Sequence, residues 1–66
     1  MKKITIRGKQ VNFYGLVKKL NTKNAKAGDV FVIKTKHGRL VAFQRTNRQG
    51  FGAWKILPFD LVKKYM

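Results

Sequence analysis

Apolar and polar positions alternate in three short runs between Asp29 and Leu57. Alternation with a period of two places successive side chains on opposite faces of a β-strand. The runs are separated by His37-Gly38 and by the polar segment 46–50. We therefore predict a three-stranded antiparallel meander over about residues 29–57, with a tight first turn and a looser second one.

The turn residues suggest a strand register for this meander. Glycine accepts the positive φ that a two-residue type I′ turn requires, so His37-Gly38 would form the loop and pair Lys36 with Arg39. In the third strand, placing Arg45 opposite Phe51 keeps all charged side chains on one side of the sheet. The alternative register, shifted by one residue, would move a lysine to the uncharged side, where burial is costly.

This register predicts two unlike faces. The uncharged face carries Phe31, Ile33, Leu40, Ala42, Trp54 and Ile56. The basic face carries Lys34, Lys36, Arg39, Arg45 and Lys55, interleaved with Val30, Val32, Val41, Phe43 and Phe51. The uncharged face should form the core, and this favours a core position for Trp54 over a role in stacking on nucleic-acid bases.

The segment before the meander predicts a strand followed by a helix. Residues 3–7 alternate, with Ile4 and Ile6 on one face. After Asn12, a potential helix cap, apolar residues recur at the spacing of one helical stripe. These residues are Phe13, Leu16, Val17 and Leu20. Residues 21–28 are polar without periodicity, so we predict a loop there.

The segment after the meander predicts a short C-terminal helix. Pro58 suits the first helical position. Asp60 in the first turn and Lys63 and Lys64 in the last turn complement the helix dipole. The predicted fold is one small α+β domain over residues 1–66: a three-stranded antiparallel meander with an N-terminal βα unit and a short C-terminal helix.

Composition leaves little room for catalysis. The 66 residues contain no cysteine and one histidine, so we predict neither a disulfide nor a metal site, and no cofactor. The two carboxylates and the histidine are assigned structural positions: Asp29 and His37 in turns, and Asp60 at a helix start. General acid–base chemistry needs a positioned titratable pair, so we predict that the protein is not an enzyme.

Net charge is the extreme property of this sequence. Sixteen Lys and Arg face two acids, a net charge of +14, which exceeds what solubility requires. Such an excess favours a polyanionic partner, because basic groups on nucleic acid release condensed counterions. We predict a non-enzymatic nucleic-acid-binding protein, with duplex DNA favoured over RNA and low sequence specificity. The predicted binding residues are Lys34, Lys36, Arg39, Phe43, Arg45, Arg48, Phe51 and Lys55.

Two alternatives share the same electrostatics. The protein could be a small modulator, of viral or mobile-element origin, that binds an acidic surface of a host protein. It could also be an RNA-binding or ribosome-associated protein. Whether the basic face is open or covered by the N-terminal helix stays undecided, as does the oligomeric state. With no leader sequence or membrane-spanning run, we expect a cytoplasmic, nucleic-acid-associated protein that does not bind membranes.

Overall fold

The computed structural model describes residues 2–66, which form a single mixed sheet of five strands in chain order. The strands are β1 (Lys2–Ile6), β2 (Lys9–Val17), β3 (Val30–Lys34), β4 (Leu40–Arg45) and β5 (Trp54–Leu57). The pair β2–β3 is parallel and the other three neighbouring pairs are antiparallel. Two 3₁₀ turns, Phe59–Leu61 and Lys63–Tyr65, follow β5.

The predicted α+β fold is wrong, because the protein is mostly β. In place of the predicted N-terminal helix lies β2, which pairs with strands on both sides. Its register shifts between Phe13 and Gly15, where Gly15 adopts φ of 74°. A bulge of this kind inserts one residue into a strand. Phe13 and Leu16 therefore lie on the same face although they are three residues apart, which imitates helical spacing.

The predicted C-terminal helix is also wrong, although its apolar side packs as expected. The two 3₁₀ turns meet at Val62, which is fully buried. Phe59, Leu61 and Tyr65 pack against the same core. A helix of this length is marginal on its own, so packing against the sheet decides its conformation.

The three-stranded antiparallel meander is confirmed, but its predicted first turn is wrong. Thr35 pairs with Arg39 through a backbone hydrogen bond of 2.7 Å, which leaves a three-residue loop. Within this loop only Gly38 has positive φ, at 82°. A type I turn followed by one left-handed residue is the usual three-residue hairpin. Consequently Val32 lies opposite Ala42 rather than Phe43.

The predicted register between the second and third strands of the meander is wrong as well. Arg45 lies opposite Trp54, three residues beyond the expected partner Phe51. Shifts of one and of three residues each exchange the faces of a strand. The two errors cancel between β3 and β5, so Phe31 and Trp54 share a face as predicted.

The sheet has apolar side chains on both faces. The core face carries Ile4, Ile6, Phe13, Val30, Val32, Ala42 and Leu57, and is covered by the C-terminal segment 58–66. The aromatic face, on the other side, carries Tyr14, Phe31, Phe43 and Trp54. Within residues 2–66, none of the helical turns has the length and apolarity to cross a membrane.

Candidate nucleic-acid interface

Three aromatic rings fill the centre of the aromatic face. Phe31 is 5% exposed, stacked on Tyr14 at 4.2 Å between centroids and edge-on to Trp54 at 5.2 Å. The indole Nε1 of Trp54 donates a hydrogen bond of 3.1 Å to the Thr22 hydroxyl. The β2–β3 connection, residues 18–29, therefore crosses this face. Trp54 has the structural position predicted for it and is not free to stack on a base.

Asp29 fixes the end of this connection. Its carboxylate is buried and accepts hydrogen bonds from the Asn12 amide (3.3 Å), the Tyr14 hydroxyl (3.2 Å) and the backbone N–H of Lys26 (2.9 Å). The bond to Lys26 matches the predicted turn role. Burial raises the pKa of Tyr14 above its usual value of 10.0, and the charge of Asp29 and the hydrogen bond to it raise it further.

Arg45 organises the β4–β5 loop, residues 46–53. One guanidinium nitrogen, Nη1, donates to the carbonyls of Thr46, Arg48 and Ala53 at 2.8, 2.7 and 2.9 Å. The guanidinium also lies 5.9 Å from the centroid of the Trp54 ring. Arg45 was predicted to bind phosphate, but its half-buried side chain holds this loop together.

The same loop carries two other predicted binding residues, Arg48 and Phe51. Both are exposed, and the Phe51 side chain is 103% exposed. A β-carbon built on Gly52 would lie 3.4 Å from Cδ of Arg48, so the aliphatic stem of Arg48 lies against the residue that follows Phe51. The loop therefore combines an aromatic ring and a cation at one place.

A groove of about 660 Å³ lies between this loop and the β1–β2 turn. Arg7, Lys9 and Lys55 supply exposed cations to its lining. Gln10, Gln44 and Asn47 supply amides, although the Gln44 amide already donates to the Gly28 carbonyl at 3.1 Å. No acidic side chain is present among the described residues that line it.

The predicted single basic face does not form. Lys34, Lys36 and Arg39 lie at the β3–β4 turn, at the end of the sheet away from the groove. Lys55 lies on the core-face side of the sheet and Arg45 on the opposite side, because the observed registers exchange the faces of β4 relative to its neighbours. Phe43 is half-buried on the aromatic face, opposite Phe31 and Ile56.

Only part of the predicted site is therefore brought together. Arg48, Phe51 and Lys55 lie at the groove end of the sheet, where Arg7 and Lys9 join them. The prediction missed Arg7 and Lys9 because the N-terminal strand was expected to continue into a helix. The sequence does contain a signal for them: Arg7-Gly8-Lys9 is a turn between two alternating runs, which is typical of a hairpin.

Neither metal ions nor known relatives identify the site. Residues 2–66 contain no group of three or more potential metal-ligating side chains. Comparisons with family models, with curated proteins and with solved structures give no significant match. Its function must be argued from the geometry and charge of the groove and the adjoining loop.

Proposed function

We propose that this protein binds nucleic acid without catalysis, with duplex DNA as the main target and low sequence specificity. The observation that supports it best is the groove at the Arg7–Gly8 turn. Its lining combines cations and amides with no carboxylate, which suits a chain of phosphates. Arg48 extends the cationic surface onto the adjoining loop.

The charge distribution supports the same partner. Every Lys and Arg in the chain except Arg45 is exposed. Of the two acids, Asp29 is buried and engaged by uncharged donors, and Asp60 lies in the C-terminal segment. The protein's own carboxylates therefore do not neutralise the groove, and a polyanion gains the full benefit of counterion release.

Low specificity follows from the few groups able to read bases. Sequence readout relies on side chains with paired donors and acceptors that reach base edges. In the groove, Gln10 and Asn47 are amides of this kind, whereas Gln44 is engaged with Gly28. Most contacts would therefore be made to the phosphates, which position a protein without specifying sequence.

The test compares two variants that remove the same charge from opposite ends of the sheet. The groove variant is Arg7→Gln, Lys9→Gln, Lys55→Gln. The matched control is Lys34→Gln, Lys36→Gln, Arg39→Gln. Each carries three fewer positive charges. Affinity for a mixed-sequence duplex is measured by fluorescence anisotropy at several salt concentrations.

We expect the wild-type affinity to fall steeply with salt. The groove variant should reduce the slope of log affinity against log salt by about 2 to 3, since each lost phosphate contact contributes roughly 0.9. The control should reduce it by clearly less. Equal effects of the two variants would overturn the groove as the site. No duplex binding at low salt, or tighter binding to duplex RNA or single strands, would overturn duplex DNA as the target.

A further inference from the structure

Phe51 is the one aromatic side chain among the described residues that the fold leaves fully exposed. The other rings pack on one of the two faces: Phe13, Phe59 and Tyr65 at the core face, and Tyr14, Phe31, Phe43 and Trp54 on the aromatic face. A large apolar side chain held in water is unfavourable unless a partner covers it. The position of Phe51 beside the cationic groove indicates what that partner is.

The loop presents Phe51 in a fixed way. Besides the three bonds from Arg45, the Thr46 N–H donates to the Ala53 carbonyl at 2.8 Å and the Thr46 hydroxyl donates to the Gly52 carbonyl. The Arg48 N–H in turn donates to the Thr46 hydroxyl at 3.2 Å. A loop with this many internal bonds loses little entropy when it binds, so the ring is preorganised for contact.

Glycines on both sides make the loop tip slender. Gly50 and Gly52 adopt φ of 63° and 89°, which L-residues rarely adopt. Without β-carbons at these positions, the Phe51 ring stands clear of its neighbours, and it has the stem of Arg48 close by. This shape is narrow enough to enter between two adjacent base pairs, whereas a broad platform is not.

We propose that Phe51 is a wedge that inserts between base pairs of duplex DNA from the minor groove and kinks the duplex, an inference that rests on the proposed function. Apolar side chains used in this way partly unstack a base step, and the bend brings more DNA onto the protein. Arg48 and the groove cations hold the flanking phosphates. Proteins that bind single strands typically stack several bases on several aromatics, and here one ring is available.

The test measures DNA bending together with affinity. Short duplexes carry a dye at each end, so that a bend raises the energy transfer between the dyes. One duplex contains a central TA step, which unstacks easily, and the other a stiff A-tract. Phe51→Ala is compared with Ile56→Ala, because Ile56 is also a strongly exposed apolar side chain, 70% exposed, but lies within β5. Circular dichroism verifies that both variants are folded.

We expect the wild type to bend the TA duplex more than the A-tract. Phe51→Ala should abolish the bend and weaken binding by roughly 5- to 100-fold, the range of a lost stacking contact. Its salt slope should stay unchanged, because Phe51 contacts no phosphate. Ile56→Ala should alter neither bend nor affinity.

The two proposals fail in different ways. Absence of duplex binding by the wild type overturns the proposed function and the wedge with it. Binding without a bend, or a bend that survives Phe51→Ala, overturns the wedge and leaves the groove proposal standing. A larger effect of Phe51→Ala on single strands than on duplex would show that the ring stacks on unpaired bases, which also overturns the wedge.

Discussion

The hydroxyl of Tyr14 donates a hydrogen bond of 3.2 Å to the buried carboxylate of Asp29. This contact joins the bulged strand β2 to the residue immediately before β3, and so spans the parallel crossover of the sheet. Asn12, also on β2, donates to the other oxygen of the same carboxylate at 3.3 Å. A sheet with one parallel pair and no crossover helix is therefore fixed at this point by polar contacts.

Removing the Asp29 carboxylate should destabilise the fold. Asp29→Ala leaves the Asn12 amide and the Lys26 N–H without their acceptor, and a buried unsatisfied group costs about 2 kcal/mol. Asp29→Asn keeps one acceptor oxygen and should lose less. The free energy of unfolding, measured in urea, gives both values. The exposed residue Asp60 provides the control, and a loss as large in Asp60→Asn would contradict the anchoring role of Asp29.

Alkaline pH should weaken the contact of Tyr14 with Asp29. The folded-state pKa of Tyr14 lies above the usual value of 10.0, so the folded state favours the neutral phenol. The stabilisation is fully present below pH 10, and is lost as the pH rises through the folded-state pKa. The difference in unfolding free energy between wild type and Tyr14→Phe should therefore shrink with rising pH. Taking this difference cancels the titration of the lysines, and a difference that stays constant would contradict the raised pKa.

Arg45 and Arg48 should respond oppositely in stability and binding assays. Arg45→Lys loses the planar group that reaches three carbonyls, so the unfolding free energy should fall by about 2 kcal/mol and the amides of Thr46 and Ala53 should exchange faster. Arg48→Gln should leave stability unchanged and weaken DNA binding. Hydrogen exchange, urea unfolding and anisotropy separate the two roles. Unaltered exchange in Arg45→Lys would show that its bonds do not hold the loop.

The C-terminal segment should act as part of the core. Val62 is fully buried between the two 3₁₀ turns, and Val62→Ala removes two carbon atoms from a packed site. The expected loss is about 2 kcal/mol in unfolding free energy. Met66→Ala, at a position that is 52% exposed, is the control and should change stability little. Similar small effects of both substitutions would mean that the segment contributes little to folding.

The local pattern predicted the strands of the meander but not how they pair. Turn chemistry was the weak point: glycine at Gly38 is compatible with a two-residue and with a three-residue loop. The choice decides which residues of β4 join Val32 or Phe31, since one residue of shift exchanges the faces. Local residue preferences do not separate these loops, whereas packing of Ala42 between neighbouring strands in the core does.

The candidate site was predicted in chemistry and misplaced in geometry. The composition indicated a cationic surface, and exposed Arg48, Phe51 and Lys55 do lie at the groove end. Arg7 and Lys9 were missed because their hairpin partner β2 was interpreted as a helix. The bulge at Gly15 caused this error, since it converts alternating spacing into helical spacing.

The sequence by itself determined the excess of positive charge, the absence of a catalytic set, the alternation of β3 to β5 and the structural position of Trp54 beside Phe31. These properties depend on composition or on relations that two register errors leave intact. Only the tertiary structure decided that Arg45 is engaged by its own loop while Phe51 is free. The reason is that the pairing of Arg45 with Trp54 excludes Phe51 from the sheet, and strand pairing depends on long-range packing that no local pattern contains.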